Sequence, residues 1–443
     1  MNAVCGTAGT KAIRIWVSGW PGPGAPPLQV RDAGGSAVAP QIRWQVLPAP
    51  SGVNQSFGLL LLSGLSPNRA YSVAVQEAPG KQIDLHSRTL PDALPAAGVT
   101  LLLCSCYYQG DDSGELRAAL EHLVSAEQPA VKLLVGDQVY ADVPGFGLFA
   151  GSGAPEYAAR YEEYWNSSHY APFLRHGPNF FTCDDHEWWN NAPEFQAWLA
   201  RSYHSSWKDS WAGGKSVYGV YQVQPNAQGG FWQDFRIGHV GIFLADTRSE
   251  RMRRDQDASH FFSTPQRAAL QAWAQNLPGP GFLVLGQPLF DGRGDWKDWK
   301  LPDYADDYRF LWSIVETSAH DIVVLSGDIH CGRLSRCPPP EGIVGRRRVV
   351  EFTASPMALV SPKPIFAPSV SVPGSIPVVP GEPQREIKLR FGTRARNFGL
   401  IHVRPAPMGA VDVRFVLWDL IRQRPAAWGN GGCESHSGEF ILH

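Results

Sequence analysis

Six short polar clusters stand at the ends of apolar runs in this chain: Cys104-Ser105-Cys106, Gly136-Asp137, Cys183-Asp184-Asp185-His186-Glu187, Asp246-Thr247-Arg248, Gly286-Gln287 and Gly327-Asp328-Ile329-His330. They are rich in the groups that bind metal ions. Asp184 and Asp185 adjoin, and two carboxylates so placed repel each other unless a cation lies between them. Asp328 and His330 are two apart after an apolar run, so both fall on one side of an extended chain. Asp137 follows a Gly that lets backbone and metal approach closely, which suits a carboxylate bridging two ions about 3.5–4 Å apart. Two such ions neutralise phosphoryl oxygens, activate a water in line and stabilise a leaving group, which is the chemistry of phosphate-ester hydrolysis. Tyr140 lies three residues on, and a phenol of pKa ~10 ligates readily only to a strong Lewis acid. As a ligand rather than a packed ring, it favours trivalent iron over zinc or magnesium. His186, beside two acids, reads as a catalytic histidine rather than a hydrogen-bonded core one.

The apolar runs must bring these clusters together. Thr100 to Cys104, Val131 to Val135, Phe180 to Thr182, Val240 to Ala245, Phe282 to Leu285 and Ile322 to Leu325 read as short buried strands. Helical patterns at Gly114 to Leu123 and Gln266 to Leu277 alternate with them, the second opened by Ser263-Thr264-Pro265. Such alternation implies an α/β domain. In open α/β sheets the ligand crevice lies outside the carboxyl ends of the strands, so the clusters should converge on one edge. Glu386 to Arg390, Gly399 to Val403 and Val411 to Trp418 read as late strands. Pro338 to Pro340 and Ser361 to Glu382 read as loops, and Arg346-Arg347-Arg348 as a solvated turn.

The first ~95 residues differ, with β-type runs at Ile13 to Ser18, Leu28 to Arg31, Ile42 to Leu47 and Phe57 to Leu62 split by Gly, Pro and Ser. Tyr71 follows a Pro67 turn, where its hydroxyl can return to the turn backbone as in a sandwich-domain tyrosine corner. This stretch resembles a small all-β Ig or fibronectin-III-like module. It carries no acid–base cluster and reads as structural. Pro91 to Gly98 reads as a linker, which divides the chain into a sandwich domain at 1–95 and a catalytic domain at 96–443.

Bulk composition limits the partners. The 443 residues carry a formal net charge of −2, with 18% charged and 44% hydrophobic residues. That balance points away from a nucleic-acid coat or a membrane-surface binder, so an anionic substrate must be attracted locally. No run reaches the ~18–20 apolar residues of a membrane span, and no secretory signal is visible at the start. The seven cysteines are an odd, scattered set that argues for reduced thiols and a cytoplasmic location.

Val135-Gly136-Asp137-Gln138-Val139-Tyr140, Cys183-Asp184-Asp185-His186-Glu187 with Asn190-Asn191, and Ser326-Gly327-Asp328-Ile329-His330 resemble the motif series of the alkaline phosphatase D (PhoD-like) family of calcineurin-like metallophosphoesterases. Cys104-Ser105-Cys106, Ala245-Asp246-Thr247-Arg248 and the leading sandwich extend the resemblance over most of the chain. It implies a metallophosphoesterase β-sandwich flanked by helices, an α+β four-layer type. It also implies a small phosphate-ester substrate and a dinuclear or multinuclear metal centre. On that resemblance Cys106 is a metal ligand, Asp137 the bridge and Tyr140 the phenolate on iron. Asp185 stands where relatives use Asn, His186 at the leaving group, and Asp328 and His330 as ligands to separate ions. The implied metals are Fe3+ plus a divalent ion, calcium first and otherwise manganese, magnesium or zinc. Arg248 could grip a phosphate bidentately, on motif position alone.

The chain departs from that pattern where relatives place a further His and it has Gln287, a poorer ligand. Asp184 could be an additional ligand or a partner behind one. Cys104, Cys183 and Cys331 read as buried core thiols. Trp188, Trp189, Trp198, Trp207 and Trp211 read as aromatic packing, with a pocket wall as the alternative that Tyr161, Tyr164, Trp165 and Tyr170 would share. A rival function keeps the same ligands as a structural metal site in a binding or scaffold protein. A structural site, however, should be closed and saturated by protein ligands.

Overall fold

The computed structural model describes residues 1–143, 153–203, 205–253, 260–294, 299–342, 344–358, 374–376, 384–426 and 437–443. The Pro-rich stretch 361–382 lies outside the described residues apart from 374–376, and so does Cys433.

Alternation builds the first eight strands: β1 (Asn2–Ala8), β2 (Ala12–Ser18), β3 (Leu28–Asp32), β4 (Ala37–Val38), β5 (Gln41–Leu47), β6 (Phe57–Ser63), β7 (Ala70–Ala78) and β8 (Lys81–Arg88). They form two four-stranded antiparallel sheets, ordered β1-β2-β6-β5 and β4-β3-β7-β8. Ile13, Ile15, Val17, Leu60 and Leu62 of one meet Val30, Val73, Val75 and Leu85 of the other in a shared core. The Tyr71 hydroxyl returns to Ser66, accepting its N–H at 3.0 Å, as its place after the Pro67 turn predicts.

The remaining strands are β9 (Val99–Cys104), β10 (Val131–Val135), β11 (Asn179–Thr182), β12 (Gln233–Ile237), β13 (Val240–Leu244), β14 (Gly281–Val284), β15 (Ile322–Ser326), β16 (Gly332–Cys337), β17 (Val349–Thr353), β18 (Ser375–Ile376), β19 (Arg385–Glu386), β20 (Lys388–Thr393), β21 (Asn397–Pro405), β22 (Val411–Asp419), β23 (Arg424–Pro425) and β24 (Ser437–Leu442). The helices are α1 (Glu115–His122), α2 (Ala154–Trp165), α3 (Tyr170–Leu174), α4 (Trp207–Tyr221), α5 (Thr264–Gln275) and α6 (Ala305–Thr317). Among the described residues two sheets have seven strands each: β11-β10-β9-β21-β22-β23, with β24 also on β22, and β12-β13-β14-β15-β17-β16-β20. Strands β9, β10 and β11 are mutually parallel, and so are β13, β14, β15 and β17.

Alternate residues of these strands face different partners. Leu101, Leu103, Leu133 and Val135 of one sheet share a core with Ile242, Leu244, Val284 and Leu325 of the other. Their neighbours Leu102, Cys104, Leu134 and Phe181 face α1 to α4, while Phe243, Leu283 and Val324 face α5 and α6. The result is helix, sheet, sheet, helix. Strands buried on both faces read as continuous apolar runs, which is why most of them were legible in the sequence.

Hydrogen bonds join the strands before Pro91 to residues after Gly98. Trp16 Nε1 donates to the Val220 carbonyl at 2.8 Å, and Asn179 Nδ2 to that of Cys5 at 2.6 Å. No helix among the described residues is long and apolar enough to cross a membrane. The run Arg346-Arg347-Arg348 is only partly solvated, since Arg346 pairs with buried Glu316 at 2.5 Å and Arg347 with Asp321 at 2.8 Å.

Candidate metal centre

The parallel strands of both sheets end at the same edge, and the loops that follow carry Cys106, Asp137, Asp185, Asp328 and His330 within a few residues of β9, β10, β11 and β15. Close approach of these loops needs small residues. Gly136 has φ +70°, and a Cβ there would stand 2.5 Å from that of Asp184. A Cβ on Gly327 would meet the Ser105 side chain, also at 2.5 Å. Cys106, Asp137, Asn191, Asp328 and His330 all hold positive φ, between 52° and 70°. Such backbone is unfavourable for residues with a Cβ and collects where the surroundings impose a functional geometry.

Two overlapping groups of ligand atoms result, each with its atoms within 4.8 Å of one another: Asp137, Asp185 and His186, and Asp137, Asp184, Asp185 and Asp328. Asp137 belongs to both, as a bridging carboxylate would. Cys106 stands beside them, its Sγ 3.4 Å from Asp137 Oδ2, and it accepts a hydrogen bond from the Ser355 hydroxyl at 3.2 Å. Among the described residues the buried Tyr140 hydroxyl has no hydrogen-bond partner, and neither has Asp184 Oδ2. Burial raises the Tyr140 pKa, and Cys106, Asp137 and Asp185 add to it, so the phenol and three acidic groups converge. His330 lies outside the two tight groups. Burial and the nearby His186 push its pKa down to about 4, which keeps its ring neutral and able to ligate.

So many buried acids strain one another. Burial raises Asp137 well above the carboxylate range, and Asp185 adds to that. Burial pushes Asp184 up to about 7 despite Arg248, and Asp328 up to about 7 with help from Asp184 and Asp185. Asp185 goes the other way: burial opposes its charge, but His186 and Arg248 outweigh that and hold it at about 2. Orphaned oxygens, a thiol and clustered carboxylates together fit metal cations. Cys106, Asp137, Tyr140, Asp184, Asp185 and Asp328 would hold them, with His330 at the margin.

The residues around this set fix it in place. Glu187 accepts the backbone N–H of Asp137 at 3.0 Å, of Gln138 at 2.7 Å and of Asp184 at 2.9 Å. His186 Nδ1 lies 2.8 Å from Asp142 Oδ1, and Asp142 Oδ2 accepts the Asn190 N–H at 2.9 Å. The His186 ring also lies against Tyr140, with centroids 4.1 Å apart. Asp142, Glu187 as a clamp and Ser355 have no sequence signature beyond their nearness to a motif. Asp142 alone was open to inspection, as a second acid five residues after Asp137.

Arg248 lies behind the acidic cluster. It is 1% exposed, its Nε donates to Asp184 Oδ1 at 2.8 Å, and its Nη1 donates to the Ala192 carbonyl at 2.6 Å. These bonds orient Asp184 and anchor the loop after His186. Gln287 is likewise a positioning group: its Oε1 accepts from Arg251 at 2.9 Å and its Nε2 reaches Asp328 at 3.3 Å. Trp188 and Trp189 are buried, and Trp211 stacks on Trp188 at 4.8 Å, so these pack as core. Tyr161, Tyr164, Trp165 and Tyr170 are core as well, while Trp198 is 52% exposed. Cys104, Cys183 and Cys331 are buried.

No protein-family model matches the chain, and no curated protein sequence matches it. Among solved structures, that of PhoD superposes on 96% of this chain and 88% of its own, with a TM-score of 0.62 at 14% identity. A Paenibacillus cycloisomaltooligosaccharide glucanotransferase complexed with cycloisomaltoheptaose reaches a TM-score of only 0.20 and carries no weight. The chain therefore has a PhoD-like fold. At 14% identity that likeness concerns the fold alone.

Proposed function

We propose that the protein is a metal-dependent phosphoric ester hydrolase acting on small phosphate mono- or diesters. One observation carries this reading: Asp137 belongs to two ligand groups at once, and a histidine already oriented by an acid stands beside them. The proposal places Fe3+ with Cys106, Asp137 and Tyr140. It places a divalent ion, calcium first, with Asp137, Asp184, Asp185 and Asp328, and His330 near either. It keeps a leading sandwich domain and a catalytic domain divided near residue 95, in a cytoplasmic setting that the odd, scattered set of cysteines supports.

Bound metal ions would neutralise phosphoryl oxygens and supply an activated water there. The chain's own residues do the rest. Asp142 occupies His186 Nδ1, which leaves Nε2 to hold or deliver a proton at the leaving-group oxygen. Burial opposes charge on His186, but Asp142, Asp185 and Asp137 outweigh it and raise its pKa well above the ordinary value. A protonated imidazole is therefore available as an acid.

The test is hydrolysis of an aryl phosphodiester and an aryl phosphomonoester before chelation, after it, and after iron and calcium are restored. Turnover that disappears and returns supports the proposal, and the ratio of the two rates assigns diester or monoester preference. Bound metal without turnover on either ester would favour a structural metal site in a binding protein.

A further inference from the structure

The metal centre leaves the interior cation Lys132 unused. Lys132 lies in β10, whose far end leads to Asp137, and it is 2% exposed. Its ammonium donates to the Phe173 carbonyl and sits 4.0 Å from the centroid of the Phe173 ring. Among the described residues no carboxylate is paired with it. Burying an ammonium without a counter-ion is costly, so a lysine kept there calls for a partner.

Lys132 borders a cavity of about 460 Å³, within the ~300–1,000 Å³ range of small-molecule sites. The cavity lies where the edge of β7 and β8 meets the end of α1, the start of β10 and the turn after α3. Its polar wall is cationic or basic: Lys132, Arg88, His86 and His176, with no carboxylate among the lining residues. Arg88 bonds only neutral acceptors, the Gln128 carbonyl at 3.1 Å and Asn68 Oδ1 at 2.9 Å, and its Nε is buried without a partner. His86 and His176 stack at 4.7 Å. Its apolar lining includes Leu120, Leu123 and Val124, and Val124 is 46% exposed. Gly177 keeps the lysine stem uncovered, since a Cβ at that position would stand 3.9 Å from Lys132 Cε.

We propose that this cavity is a second ligand site, for a small free organic anion with an apolar body, of the medium-chain carboxylate type. The head group lies toward Lys132 and Arg88, and the chain runs along Leu120, Leu123 and Val124. Charge complementarity selects the anion and the apolar lining selects the tail. Burial pushes the Lys132 pKa down to about 7, with Cys5 and Cys104 offsetting only part of it, and a bound anion restores the charge. A ligand there also spans a seam already stitched by backbone bonds, His86 N–H to the Arg175 carbonyl at 2.8 Å and Gly177 N–H to that of His86 at 2.6 Å. Binding should therefore raise the melting temperature.

Calorimetric titration of the full chain with octanoate, octanol and octylammonium tests this. Octanoate should bind saturably with one molecule per chain, octanol at least about tenfold more weakly, and octylammonium not at all. Lys132→Met keeps most of the length of the side chain and removes the charge, and should weaken octanoate by at least about tenfold. Val124→Trp fills the mouth without touching Lys132 and should abolish octanoate binding, which keeps the test decisive if Lys132→Met does not fold. Absence of saturable octanoate binding to the unmodified chain would overturn the proposal. So would octanol binding as tightly as octanoate, or Val124→Trp binding octanoate unchanged. None of these readouts depends on hydrolytic activity.

Discussion

The Glu187 carboxylate accepts the backbone N–H of Asp137 at 3.0 Å, although the two residues follow different strands and are 50 residues apart. The same carboxylate holds Gln138 and Asp184, so one buried anion sets the spacing of two ligand loops. Glu187→Gln puts an amide N–H against backbone donors and leaves at least one of them unpaired. The expected cost is about 1–3 kcal/mol of stability together with loss of metal. Denaturant melts and elemental analysis of the purified variant check this; full metal content with unchanged stability would refute the clamp.

His186→Ala should lower kcat by ~10²–10⁴-fold with bound metal retained. Burial lowers the His186 pKa and Asp142 leads the groups that raise it, so Asp142→Asn must bring it down. A protonated histidine acting as acid loses activity as pH rises through its pKa. The alkaline limb of the pH–rate profile should therefore move to lower pH in Asp142→Asn, with a rate loss of at least about tenfold. An unmoved limb would separate Asp142 from the proton transfer.

Cys104 and Cys106 are both fully buried, yet only Cys106 lies against Asp137. Cys106→Ala should strip metal and activity, whereas Cys104→Ala should keep both and cost roughly 1 kcal/mol from lost packing. Tyr140→Phe should keep the fold and delete any tyrosinate-to-iron absorption band in the iron-loaded protein. Persistence of such a band would move the phenolate to another residue.

Arg248→Ala removes the partner of buried Asp184 and the anchor of the Ala192 carbonyl. Breaking a buried pair of this kind costs about 3–5 kcal/mol, read as a shift in the denaturation midpoint. A raised KM with unchanged stability would instead restore the phosphate-gripping role read from its motif position.

Much of the architecture was legible in the sequence. The runs ending at Cys104, Val135, Thr182 and Leu325 became β9, β10, β11 and β15 within a residue or so, because strands buried on both faces must be apolar throughout. Strands β1, β8, β12, β16 and β17 were not read. β16 carries Arg333 and Ser335, and β17 carries Glu351, which is buried and accepts the Leu289 and Phe290 N–H groups. A charged residue satisfied by distant backbone looks like a loop residue when only its neighbours in sequence are seen.

What the sequence by itself determined is the inventory: acids, a histidine, a phenol and a thiol at the ends of buried strands, and the edge to which parallel strands deliver them. Only the tertiary structure decided how each is used. Arg248 and Asp184 were separate residues until β13 and β11 were set side by side across the two sheets, where burial forced the arginine to spend its bonds on Asp184 and Ala192. Lys132 looks like any charged residue in a strand until the packing of α3 against β10 removes its water. Local sequence sets which groups are present. Which of them pair, and which are left to hold a metal or a ligand, depends on desolvation and contacts between segments far apart in the chain.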